Sequence, residues 1–200
     1  MTIRPLHFER RGEGPAVMLL HGFTGSGPSM SEVSHALARD FEVITPDLPG
    51  HGRSIAADDG PVHSFDDCLD RLAATLEQAG HARAHWIGYS MGARLALAFA
   101  LRLPERVASL LLVGARAGIE GAPERAARRR ADEALAGRIE TDGIEAFVDE
   151  WLAQPLFASQ QRLGGEFVAA QRRQRLDNDA RSLAASLRGM GPGAQPPLFD

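Results

Sequence analysis

Five residues, Gly88-Tyr89-Ser90-Met91-Gly92, restrict the fold of this chain more than any other stretch. They join a short apolar run, His85-Trp86-Ile87, to a strong helix-forming run, Ala93-Arg94-Leu95-Ala96-Leu97-Ala98-Phe99-Ala100. A Gly-x-Ser-x-Gly segment between a strand and a helix is the pattern of a nucleophile elbow. Glycine on both sides lets the backbone turn sharply and keeps neighbouring Cβ atoms away. Such a turn presents the Ser90 hydroxyl above a sheet at a helix N-terminus, where main-chain N–H groups favour developing negative charge. A plain tight turn that happens to hold a serine is the competing reading, and the flanking strand and helix count against it.

The surrounding chain repeats that alternation. Ala16-Val17-Met18-Leu19-Leu20, Phe41 to Ile44, His85 to Ile87 and Val107 to Val113 read as buried strands bounded by Gly, Pro or Asp. Helical patterns lie between them, at roughly 30–39, 65–79 and 91–102, and Ser64 with Asp67 resembles a capping box opening the second. Strands alternating with helices imply a parallel sheet covered on both faces. After Gly114 the texture changes. From Glu120 to Arg188 Ala/Arg/Glu-rich helical runs are broken at Thr141-Asp142-Gly143, Gln154-Pro155 and Gly164-Gly165, and no convincing strand appears. We expect a core portion at 1–118, a helical cap at 119–188, and a Gly/Pro-rich linker back toward the core at 189–200.

Composition limits the partners. A net charge of −4 draws the chain to neither nucleic acid nor an anionic membrane, and no apolar run spans a bilayer or forms a leader. Cys68 is the one cysteine, so no internal disulfide forms, a reducing cytoplasm suits the chain, and no ligand cluster has metal spacing. The oligomeric state is not readable.

Two further motifs bear on Ser90. Leu19-Leu20-His21-Gly22-Phe23 leaves a strand and enters the loop Thr24-Gly25-Ser26-Gly27. In a sheet with such an elbow, the loop after that strand and the residue after the serine each supply an oxyanion donor, here the N–H groups of Phe23 and Met91. His21 invites a catalytic reading but, beside the loop glycine, reads better as structural. The third motif is Asp47-Leu48-Pro49-Gly50-His51-Gly52-Arg53-Ser54, a strand end passing into a loop. At these spacings the three motifs together resemble the α/β-hydrolase superfamily, whose fold is a mostly parallel sheet with helices on both faces and a helical cap. That likeness says little about substrate.

Within the superfamily, Gly88 to Arg94, the arginine-rich stretch Glu124 to Asp132, Trp151-Leu152-Ala153-Gln154-Pro155-Leu156-Phe157 and Leu183 to Leu198 are similar to the 2-succinyl-6-hydroxy-2,4-cyclohexadiene-1-carboxylate synthases of menaquinone biosynthesis. The resemblance implies a lyase that eliminates pyruvate, needs no cofactor and takes a small polycarboxylate. It implies Ser90 as the catalytic residue and Tyr89, Arg94, Arg128, Trp151 and Arg175 as substrate-binding residues. Gln195 falls on a Gln-Pro pair of that family without an assigned role. Arginine's planar fork suits carboxylates, and Arg94, one turn past Ser90, can face the same space. From the residues alone, a functional Arg94 is preferred to a solvated helix position because elbows of this kind often carry small or apolar residues there. Arg128 divides evenly between ligand and surface and Trp151 between cap core and pocket wall, and Arg125, Arg129 and Arg130 read as a solvated face.

The superfamily orders its triad as serine, acid, then histidine. The seven histidines here (His7, His21, His35, His51, His63, His81 and His85) all precede Ser90. The expectation is therefore an N-terminal portion lacking the last strands and helix, nearly inactive alone, with Asp200 not the triad acid and the strand at 107–113 an exposed edge. Two alternatives stay open: a serine esterase or C–C hydrolase working through an acyl enzyme, and a non-catalytic carboxylate-binding module.

Overall fold

The computed structural model describes residues 3–55 and 64–199, with backbone alone for Gln161; His63 and Asp200 lie outside these residues. Five strands, β1 (Phe8–Arg11), β2 (Ala16–Leu20), β3 (Glu42–Pro46), β4 (Ala84–Tyr89) and β5 (Val107–Val113), form one sheet in the order β1-β3-β2-β4-β5. β2 runs parallel to β3 and to β4, and β4 parallel to β5, whereas β1 pairs antiparallel with β3. The central strand β2 is aliphatic at every position and buried at every position. Its Ala16, Met18 and Leu20 share a core with Trp86 and Ile44, while Val17 and Leu19, pointing the other way, are also sealed from solvent. A strand covered on both faces has no use for alternation, which explains the unbroken apolar run.

Helices α1 (Ser31–Leu37), α2 (Phe65–Gln78) and α3 (Met91–Arg102) make the crossovers. The Ser64 side chain accepts a hydrogen bond from the Asp67 amide and caps α2. Leu69, Leu72 and Leu76 of α2 meet Leu95 and Phe99 of α3 in the core beneath the sheet, and Phe99 stacks on Trp86 with ring centroids 4.0 Å apart. From β2 the chain first goes to β3 on one side and then crosses back to β4 on the other. The carboxyl ends of β2 and β4 therefore flank a topological switch point, where open α/β sheets leave a crevice.

Three further helices cover that end: α4 (Ala122–Leu152), α5 (Gly165–Leu176) and α6 (Ala180–Met190). They have a core of their own, in which Ala136, Ile139, Phe147 and Val148 of α4 pack on Leu183, Ala184 and Leu187 of α6. α4 bends at Gly143, whose φ of 84° and ψ of 170° lie outside the helical region. Only glycine takes that conformation without strain. The Asp179 side chain accepts from the Ser182 amide and starts α6.

Two expectations need correcting. β1 (Phe8-Glu9-Arg10-Arg11) was not anticipated. It is largely solvent-facing and polar, because an antiparallel edge strand is held by its ladder and needs no apolar pattern. Residues 189–200 are not simply a linker. Gly189 and Met190 complete α6, and Gly191, Gly193 and Gln195 are buried in the turn that follows, where the Gly193 amide donates to Asp132 Oδ2 at 2.8 Å.

Among the described residues β5 has no neighbour beyond β4, and Leu111 and Val113 are 57% and 49% exposed. An aliphatic edge of this kind templates pairing with another copy. Leu111→Lys should raise the concentration at which light scattering reports self-association and leave the thermal midpoint within about 2 °C of the parent; unchanged scattering would assign any self-association elsewhere.

Candidate active site

The turn between β4 and α3 is built on a strained residue. Ser90 has φ 51° and ψ −108°, one of two non-glycine residues with positive φ among those described. Such a conformation costs on the order of 1–3 kcal/mol and persists only where its surroundings over-determine it. They do so here. The Ser90 amide donates to Val113 O of β5 at 2.8 Å, the Gly92 amide donates to His21 O at 3.1 Å, and Ser90 O accepts from the Arg94 amide at 3.1 Å. The flanking glycines are required by close approach: a Cβ on Gly88 would lie 2.5 Å from Gly92 O, and one on Gly92 would lie 2.6 Å from both Leu20 O and His21 O. Ser90 Oγ makes no hydrogen bond to a described residue and faces a cavity of about 280 Å³.

The loop after β2 closes on the same point. A Cβ on Gly22 would sit 3.3 Å from Ser90 Cβ and 2.9 Å from Tyr89 Cδ1, so only glycine lets this loop approach the serine. Phe23 and Met91 both line the cavity, and no hydrogen bond from either main-chain amide is found among the described residues. Two buried histidines brace the loop. His21 Nε2 accepts from the Leu48 amide at 2.9 Å, and His51 Nε2 accepts from the Thr24 amide at 3.3 Å. An accepting nitrogen carries no proton, so both rings are neutral, with Nδ1 donating to Gly22 O and Pro49 O respectively. Burial holds His21 down to about 4, and burial with the neighbouring His21 holds His51 down to about 3. Asp47 ties the loops together, accepting from Gly27 N–H at 2.6 Å and Arg53 N–H at 2.8 Å.

The arginines meet in this cavity. Arg94, Arg128 and Arg175 all line it, from α3, α4 and α5, together with Tyr89, Trp151 and Gln195. Arg94 is only 7% exposed, which removes the solvated reading. Burial first, and then the nearby Arg128 charge, push it down to about 10, opposed by Asp132. Its Nη1 donates to Met190 O at 3.0 Å and Gln195 Oε1 at 3.2 Å. Arg128 gives its Nε to Asp132 at 2.7 Å. Arg175 lies 5.7 Å from the Phe157 ring centroid, and burial lowers its pKa. Trp151 is both wall and packing residue, with ring centroids 5.6 Å from Phe23 and from Phe147. Trp151 Nε1 and Arg175 Nε are buried donors without a described acceptor. Groups of this kind ask for an acceptor from a ligand or water.

The structure thus brings Ser90, Phe23, Met91, Tyr89, Arg94, Arg128, Trp151 and Arg175 around one space, whereas His21, Arg125, Arg129 and Arg130 do not line it. Arg125 and Arg129 are not purely solvated: Arg125 Nη1 donates to Ile119 O at 2.8 Å and Arg129 Nε to Gly193 O at 3.3 Å. Reading the sequence missed the bracing roles of Asp132 and Asn178. Asp132 sits four residues after Arg128, a spacing that signals a helical ion pair. Besides a local bond to Arg175 O, Asn178 donates to Thr24 O and accepts from the Gly52 amide, 154 and 126 residues away, separations that leave no local signal. Among the described residues, no group of three or more His, Cys, Asp or Glu is placed to hold a metal ion, and no helix is long and apolar enough to cross a membrane.

Residues 15–172 match the family model described as the α/β hydrolase fold, and the chain belongs to that family. Within it, the chain is 42% identical over 192 residues to a putative 2-succinyl-6-hydroxy-2,4-cyclohexadiene-1-carboxylate synthase of Bacillus subtilis, covering 94% of this chain and 70% of that protein. It is 35% identical over 188 residues to the synthase of that name from Escherichia coli O1:K1, covering 92% and 70%. The solved structure of MenH from S. aureus superposes with a TM-score of 0.89 at 32% identity, over 96% of this chain and 73% of that one. A malate-bound thermophilic esterase from Thermogutta terrifontis follows the same fold with a TM-score of 0.81 at 28% identity, over 96% and 68%.

The neutral histidines make stability pH-dependent. Unfolding returns them to an ordinary pKa near 6.5, so below that pH the unfolded chain binds protons that the folded chain refuses. Their contribution is fully present above pH 6.5 and is lost as pH falls to about 4 for His21 and about 3 for His51, and His21 alone accounts for roughly 3 kcal/mol. The urea midpoint should fall steeply between pH 6.5 and 4.5; a flat profile would mean these rings are protonated or solvated.

Proposed function

We propose that this site is that of a lyase of menaquinone biosynthesis, which eliminates pyruvate from a polycarboxylate cyclohexene to give 2-succinyl-6-hydroxy-2,4-cyclohexadiene-1-carboxylate. The observation that carries the reading is the buried Arg94, which faces the Ser90 cavity with no carboxylate among its described partners. A desolvated cation with no carboxylate hydrogen-bonded to it, stabilised only at a distance by Asp132, is costly, and an anionic ligand offsets that cost. The relatives named as synthases of this product supply the substrate class.

The roles divide as follows. Arg94, Arg128 and Arg175 neutralise substrate carboxylates, and Trp151 Nε1 donates to a ligand oxygen. Tyr89 forms the wall beside the serine. The Ser90 oxygen removes a proton from the substrate rather than forming an acyl enzyme. The amides of Phe23 and Met91 stabilise the enolate-like charge as the carbon–oxygen bond to the pyruvyl group breaks and pyruvate leaves. Ser90 oxygen is a base only if its own proton is taken up. Among the described histidines, His21 and His51 have both ring nitrogens engaged, and no other is hydrogen-bonded to Ser90. A histidine that follows the serine and its acid in the superfamily's order would complete the relay.

The test offers the chain a source of such a histidine. Mixing the chain with the part of the Bacillus subtilis relative that it does not match should give pyruvate release from the cyclohexene substrate. Ser90→Ala should lower the rate by about 10³-fold or more. A p-nitrophenyl acetate burst without pyruvate would instead favour an acyl-enzyme esterase, and activity or ligand effects indifferent to Ser90→Ala would favour a binding module.

A further inference from the structure

Gln195 is 1% exposed, and each of its two side-chain polar atoms has a hydrogen-bond partner. Its Oε1 accepts from Arg94 Nη1 at 3.2 Å, and its Nε2 donates to Arg116 O at 2.8 Å. Main-chain bonds lock the residue in place: its own amide donates to Gly191 O at 3.1 Å, and the neighbouring turn is pinned by Gly193 N–H to Asp132 Oδ2. The amide oxygen and Met190 O grip the same guanidinium nitrogen of Arg94. Both acceptors are neutral, and no hydrogen bond from Arg94 Nη2 or Nε is found among the described residues.

The two facing arginines are therefore treated differently. Arg128 has a carboxylate on its Nε, whereas Arg94, the more deeply buried, has only neutral hydrogen-bond acceptors among the described residues and feels the Asp132 charge only through space. We propose that Gln195 is a positioning residue that aims the Arg94 guanidinium into the Ser90 cavity while leaving its charge for a ligand carboxylate. The proposal deepens, and rests on, the reading of this cavity as a carboxylate site. Only an uncharged acceptor serves. A glutamate of the same size would form a buried ion pair with Arg94 and remove the attraction for an incoming anion. An apolar residue would leave Nη1 with one acceptor fewer and the guanidinium free to swing.

The experiment is calorimetric titration of the 200-residue chain with two probes, 3-benzoylpropionate, a ring bearing a keto-acid chain, and its neutral methyl ester. The parent should prefer the carboxylate. Gln195→Glu should weaken carboxylate binding by about tenfold or more and leave ester binding within about threefold, because the cavity's shape is kept and only its free charge is lost. Gln195→Met, which carries no charge, should lower carboxylate affinity about three- to tenfold with the ester again unmoved, and it decides the matter if Gln195→Glu does not fold. Equal losses for both probes would mark Gln195 as merely structural, and an unchanged carboxylate preference in either folded variant would overturn the proposal. The underlying reading fails separately: a parent with no preference for the carboxylate, or a preference that survives Arg94→Ala, sinks the carboxylate site itself.

Discussion

The amide of Ser90 reaches Val113 O on the neighbouring strand β5, and the amide of Gly92 reaches His21 O just past the end of β2. Those two bonds hold a positive-φ serine at the summit of the sheet, and most of the architecture is arranged to make them possible. β5 must lie beside β4 in register for Val113 to be there, with Tyr89 opposite Val113. β2 must end where His21 can turn over the start of α3, which in turn requires Gly92 to have no side chain. The reactive geometry therefore belongs to three strands and a helix at once, and Ser90 alone does not define it. Loosening β5 or the end of β2 would release the strain and lower the serine back into an ordinary turn.

Around that point the protein sorts its titratable groups by charge. The rings beneath the loop, His21 and His51, are stripped of their protons by burial and spend both nitrogens on main-chain atoms. The guanidinium groups above it keep their charge even where burial is severe, as at Arg94. A neutral floor that cannot take up a proton and a cationic wall lacking enough acids to balance it together bias the cavity toward anions. The bracing carboxylates fit this arrangement. Asp47 is spent on the loops, and Asp132 on Arg128 and the turn behind it, so neither confronts a ligand directly.

Much of this was legible from local patterns. Val107–Val113 and Ala16–Leu20 are legible with their observed bounds because each is a nearly continuous aliphatic run. In β2 that run is buried at every position, whereas in β5, read from the sequence as a buried strand, it lies along the sheet edge with Leu111 and Val113 exposed. α3 and the elbow were legible because glycine, serine and helix formers each answer a local demand. β1 escaped because its pairing is a main-chain affair that leaves polar Glu9, Arg10 and Arg11 free to face water. The gathering of Tyr89, Arg94, Arg128, Trp151 and Arg175 came from likeness to a family, since nothing in their spacing says that three helices converge. Gln195 shows the boundary most clearly. Its partners are Arg94, 101 residues away, and Arg116, 79 residues away, and a glutamine in a Gly/Pro-rich stretch looks like any surface residue until both contacts are seen.

The bend at Gly143 has a geometric consequence for the ligand space. Arg128 and Trp151 sit on opposite sides of it in the same helix, and with a rise of 1.5 Å per residue an unbent α4 would carry them about 35 Å apart, wider than a small molecule by several lengths. Folded at residue 143, the one helix supplies both a cation and an indole to a single enclosure. The span between those two groups, and with it the size of guest that can be gripped at both ends, is set by one backbone angle remote from either of them.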